Sequence, residues 1–74
     1  MISRLVKIRQ KGVVREFDVQ TGLGSIESED AELFPFHCIV ISDGTRNIEP
    51  GCSVYFSPYP TLRGRIEAVA VDKA

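Results

Sequence analysis

The 74-residue sequence predicts a small all-β domain. Short runs rich in Val, Ile, Phe and Tyr are broken at close intervals by Gly, Pro, Asp and Ser. That is the punctuation of strands and turns. No apolar stripe at helical spacing runs for a useful length. A chain of this size holds one domain at most, with a small core and a thin stability margin.

A first strand is expected over residues 11–18, and the apolar residues within 5–8 offer a backward extension. Thr21 and Gly22 form a turn signal, and residues 23–28 read as strand two. Glu29, Asp30 and Ala31 turn the chain into strand three, residues 32–36. A longer connection follows over 38–51, with turn signals at Ser42-Asp43-Gly44 and at Pro50-Gly51. Residues 53–57 read as strand four, with Val54 and Phe56 on one face and Tyr55 on the other. Residues 58–62, with two prolines, read as a stiff loop. Residues 65–71 alternate as strand five. Ile66, Ala68 and Ala70 are expected on one face, Glu67, Val69 and Val71 on the other.

Charge is close to balanced, at −1, but unevenly spread. Residues 1–15 hold Arg4, Lys7, Arg9, Lys11 and Arg15 and no acid, whereas Glu27, Glu29, Asp30 and Glu32 surround one turn. Such polarity can give a basic face to a chain that is not a polycation. Residues 1–10 are therefore set apart as a basic arm or an extension of strand one, and residues 11–74 as the folded domain. The charges among the first apolar residues do not suit a signal peptide, and no run approaches the ~20 apolar residues of a membrane span. A cytoplasmic location is expected. Cys38 and Cys52 are too few for a disulfide framework and read as reduced thiols. One histidine and two cysteines do not complete a zinc site of ordinary spacing. No P-loop, nucleophile elbow or metal motif is present, and no acid is spaced to orient His37 beside Ser25, Cys38 or Cys52. The sequence reads as non-enzymatic, without cofactor or metal.

The segment Gly12-Val-Val-Arg-Glu-Phe-Asp18, then Gly22-Leu-Gly-Ser-Ile26, then Leu33-Phe-Pro-Phe-His-Cys38 resembles the strand motifs of the bacterial cold-shock domain. Matches continue in order through Ile41, Asp43-Gly44, Gly51, Val54, Phe56, Gly64 and Ala68, so the likeness spans about residues 11–71. The resemblance implies a five-stranded antiparallel barrel of the OB type with Val14, Ile26, Val54 and Phe56 inside. It also implies binding of single-stranded RNA or DNA on strands one to three. The family stacks bases on exposed aromatics. At the matching positions this chain has Glu16, Leu23, Ser25, Pro35, Cys38 and Thr45. Arg15 and Thr21 replace the usual lysines, while Phe17 and His37 are retained. Phe36 and Tyr59 stand as local substitutes.

The candidate nucleic-acid-binding residues are thus Arg15, Phe17, Leu23, Phe36, His37, Arg46, Arg63 and Arg65. Weak, salt-dependent binding of low sequence specificity is expected from arginines and few rings, with Glu16 opposing the phosphates. His37 has two readings, a base-contacting ring or a side chain that holds the turn after strand three. The alternative function is contact with a protein partner or a second copy, through an apolar patch of Leu23, Pro35, Phe36 and Cys38.

Overall fold

A computed structural model describes residues 9–45, 47–61 and 64–74. Five strands follow in order: β1 Gln10–Asp18, β2 Leu23–Ser28, β3 Leu33–His37, β4 Ser53–Pro60 and β5 Ile66–Lys73. All pair antiparallel, in the order β3-β2-β1-β4-β5. The end strands β3 and β5 pack against each other, so the sheet curls around one core. This is the small all-β, OB-type fold. The proposed extension of strand one over residues 5–8 lies outside the described residues, as do Arg46 and Arg63.

The interior is built from alternate residues. Val14, Ile26, Val54, Phe56 and Val71 are fully buried, with Phe34, Phe36 and Ala68 beside them. Phe34 and Phe56 meet at 5.1 Å between ring centroids, tilted by 53°. Each such side chain contributes about 1.5–3 kcal/mol relative to exposure. The long connection after β3 closes the core with Ile41 and Ile48. It starts as a 3-10 turn, Cys38–Val40. Asp43 then accepts hydrogen bonds from the Thr45 N–H (3.0 Å) and hydroxyl (2.8 Å) and lies 3.2 Å from Lys73 on β5. These donors, the Thr45 backbone N–H foremost, hold the Asp43 carboxyl below the usual carboxylate range. Whatever this tie contributes is present above that range and lost as pH falls through the lowered value.

Two bulges set which side chains face outward. On β1 the register steps between Val14 and Glu16, so Arg15 is the extra residue and both Arg15 and Glu16 stay exposed. Without that step, strict alternation from Val14 would turn Glu16 into the core and Phe17 out of it. On β5 the register steps near Ala70, which has φ 52°. Ala68 and Val71 are consequently both buried, and Ile66 is exposed. The expected split, with Ala68 and Ala70 on one face and Val71 on the other, does not hold, because the extra residue shifts the phase of the pleat. Arg9 binds this bulge. It donates to the Ala70 carbonyl (2.8 Å) and the Ser57 hydroxyl (3.2 Å) and pairs with Asp72 (2.5 Å).

Residues 58–60 belong to β4, not to a stiff loop. Among the described residues, β4 pairs with β1 as far as Phe56. Pro58 and Pro60 lie opposite Ala68 and Ile66 of β5, and proline is accepted in a strand where its nitrogen owes no ladder bond. Pro35 sits in β3, which among the described residues has β2 as its one ladder partner, where a missing N–H also discourages pairing with another chain.

Gly24 is required by a close approach. It lies in one row between Phe17 and Phe36. With no side chain between them, the two rings stack at 5.9 Å and 17°. A Cβ at Gly24 would lie 2.6 Å from the Glu16 carbonyl oxygen and 2.8 Å from the Phe36 ring. Gly24→Ala is expected to destabilise the domain by about 1–3 kcal/mol through overpacking, which urea unfolding would measure. A loss below ~0.5 kcal/mol would show that the neighbouring strand yields freely.

Candidate nucleic-acid interface

Residues opposite one another in a ladder share a face. The pairings of β1, β2 and β3 therefore define three outward rows. The first is Asp18, Leu23 and His37. The second is Glu16, Ser25 and Pro35. The third is Val13, Glu27 and Leu33. Between them run the interior rows Phe17-Gly24-Phe36 and Val14-Ile26-Phe34. Rows lie roughly 6–7 Å apart along the strands, close to the size of a nucleobase.

This geometry sorts the sequence-predicted residues. Leu23, 57% exposed, and His37 stand side by side on the outer face. Phe36 is 2% exposed and belongs to the core. Its place in the alternation points it inward, so it drops out as a base contact. Phe17 lies on the same interior row, half-buried against Phe36, and offers only part of its ring. Arg15 borders the face, but its Nε is 2.5 Å from the Glu27 carboxylate. Arg65 is exposed in the β4–β5 connection. Its neighbour Ile66 shares a groove with Leu33 and Phe34, away from the Leu23–His37 row. Tyr59 is exposed on β4, outside the three-stranded face. The apolar patch of Leu23, Pro35, Phe36 and Cys38 does not form as such, because Phe36 and Cys38 are buried.

His37 performs the turn-holding role. Its Nδ1 accepts the Ile39 N–H at 3.2 Å and caps the 3-10 turn. An accepting Nδ1 places the proton of the neutral ring on Nε2. The ring also sits over Gly22 (φ 78°), where a Cβ would come within 3.1 Å of Nε2. His37→Ala is expected to cost about 1 kcal/mol of stability through the lost cap bond. It should also lower single-strand binding about fivefold or more through the lost ring. Thermal unfolding and anisotropy titration measure the two separately. A binding loss that merely tracks unfolding would leave the ring no contact with a ligand.

The electrostatics of the face are acidic. Glu16, Asp18 and Glu27 point outward; Arg15 pairs with Glu27, and Lys11 lines the same groove as both. Glu16 makes no hydrogen bond or ion pair with a described residue. Asp18 accepts the Gln20 N–H through Oδ1 at 2.9 Å. Sequence reasoning weighed Glu16 but missed Asp18 and Glu27 as members of the face. Counting alternate positions outward from Leu23 reaches Glu27, while Asp18 emerges only once the β1 bulge is known. Ile39, just beyond His37, is a further exposed apolar residue it missed.

No family model matches the chain, and no curated protein matches it in sequence. In fold it is similar to the solved structure of Drosophila Unr CSD456, a cold-shock domain protein. The TM-score is 0.74 and the sequence identity 20%; the likeness covers 90% of this chain and 27% of that one. At this identity the two share a fold, the cold-shock-type barrel.

Proposed function

We propose that the chain is a non-enzymatic cytoplasmic module that binds single-stranded RNA or DNA weakly across β1–β3. The observation that carries this reading is the open outer row of a cold-shock-type barrel, where exposed Leu23 and the fixed ring of His37 stand side by side. A base laid on Leu23 meets His37 at its edge or face. No bond is made or broken. His37 is the one ring of the pair, at about 1–3 kcal/mol for a stacked base; Leu23 adds apolar contact without a π face, so dissociation constants weaker than roughly 10 µM are expected.

Salt is the informative variable. Arg9, Arg15 and Lys73 are each paired with a carboxylate, and the face itself carries three acids. Few phosphates can then be neutralised, so the log–log slope of affinity against salt should be shallow, about −0.7 to −1.5 for one or two contacts. Fluorescence anisotropy of a labelled octanucleotide between low and physiological salt reads it. A slope steeper than about −3 would move binding from this face to the basic residues elsewhere.

The acids also favour a second reading, in which the face receives a basic segment of a protein partner or of another copy. Glu16 and Asp18 flank exposed Leu23, a pairing of charge and apolar surface that suits lysine- or arginine-bearing peptide better than a polyanion. Light scattering of the pure protein tests the homodimer. A concentration-dependent dimer lost on Leu23→Asp, with no oligonucleotide bound, would select this reading over the first.

A further inference from the structure

We propose that Glu16 and Asp18 make this face select bases that present amino and imino donors, guanine foremost, and disfavour thymine and uracil. The inference rests on the nucleic-acid reading and names the ligand class of that site. In the first row Asp18, Leu23 and His37 stand in line, with neighbouring Cβ atoms roughly 4.5–5.5 Å apart. Glu16 occupies the β1 position of the adjacent row. A base resting on Leu23 therefore has Asp18 and Glu16 on its β1 side and His37 on its β3 side.

The two sides offer opposite chemistry. A carboxylate only accepts hydrogen bonds. Asp18 keeps Oδ2 after Oδ1 has bound Gln20, and both Glu16 oxygens are without a described partner. His37 has used Nδ1 as an acceptor and presents Nε2–H as a donor. Guanine fits this order. Its N1–H and N2–H2 form two parallel donors that match a carboxylate fork, and O6 and N7 remain as acceptors for Nε2–H. Cytosine and adenine each bring one exocyclic amino group. Thymine and uracil bring a single N–H between two carbonyl oxygens, which a carboxylate repels. A lost stacking surface is thus replaced by hydrogen-bond readout of a base edge, at a face that is otherwise poor for phosphate.

The test uses the full chain and labelled single-stranded octamers at low salt. One octamer is all thymine. The others carry guanine, hypoxanthine, cytosine or adenine at two central positions. Guanine should tighten binding at least about tenfold over the all-thymine octamer, the range of one good bidentate pair. Hypoxanthine, which lacks the 2-amino group, should fall between. Glu16→Gln and Asp18→Asn should shrink the guanine-to-thymine ratio severalfold, chiefly by strengthening thymine binding. Both positions are exposed, so circular dichroism should show the variants folded. Equal or tighter binding of the all-thymine octamer, or a ratio unmoved in both variants, would overturn the base preference while leaving the nucleic-acid reading in place. No binding of any octamer would overturn that reading and the preference with it.

Discussion

Placing three rings on the outer face, with Glu16→Trp, Leu23→Phe and Ser25→Phe in one protein, is expected to tighten binding of a thymine-rich single strand at least a hundredfold. The three positions are outward and adjacent in the ladder, Glu16 opposite Ser25 and Leu23 one row away. None is part of the core, so larger side chains meet solvent and not packed atoms. Each stacked base contributes about 1–3 kcal/mol, and about 1.4 kcal/mol is a tenfold change. Fully additive, three rings would give roughly a hundredfold to a millionfold, and neighbouring platforms are not fully additive. Removing the Glu16 carboxylate also relieves repulsion of the strand. Anisotropy with a thymine octamer measures the gain. A gain below about tenfold would mean that this face does not receive the strand.

The second large effect concerns the core. Phe56 has no exposed surface, meets Phe34, and lies where a Cβ at Gly12 would come within 3.1 Å of its ring. Phe56→Ala should cost about 3–5 kcal/mol. A domain this small has only a few kcal/mol to roughly 11 kcal/mol of total stability. The variant should therefore melt ~12–40 °C lower or fail to fold at 37 °C. Thermal unfolding followed by circular dichroism decides it. A fall under about 1 kcal/mol would contradict the placement of this ring at the centre of the barrel.

These two expectations draw on different levels of the sequence. The core was legible because the resemblance put Val14, Ile26, Val54 and Phe56 inside, and alternation along strand four agreed in setting Val54 and Phe56 on one face. β2 was read to the residue, since Gly22 and Glu29-Asp30 bracket it. Strand ends were less legible where the local signal opposed the structure. Two prolines argued for a loop at 58–60, yet these residues pair with β5 as a strand. The phase of β5 was misread because the φ of Ala70 is set by the tertiary bulge, and alanine carries no local sign of it.

The candidate face was only partly legible, for the same reason. Leu23 and His37 were found because their positions match a motif. Phe36 was the ambiguous one, and the pleat turns it inward. Phe17 could not be read as interior from its spacing. Val14 and Phe17, three apart, can share one face of a strand only across a bulge. That bulge is what keeps both Arg15 and Glu16 outside, and it puts Asp18 in line with Leu23. An acidic face on a cold-shock-type barrel is therefore a consequence of one inserted residue and three carboxylates, which net charge alone could not reveal.

The direct test of binding at this face is a two-dimensional NMR titration of the isotope-labelled protein with a guanine-containing single-stranded octamer. The largest amide shifts should fall on Leu23, Ser25 and His37, with Glu16 and Asp18 beside them. Shifts confined to the basic residues at positions 1–11 and to Arg65, with Leu23 and His37 unmoved, would contradict it.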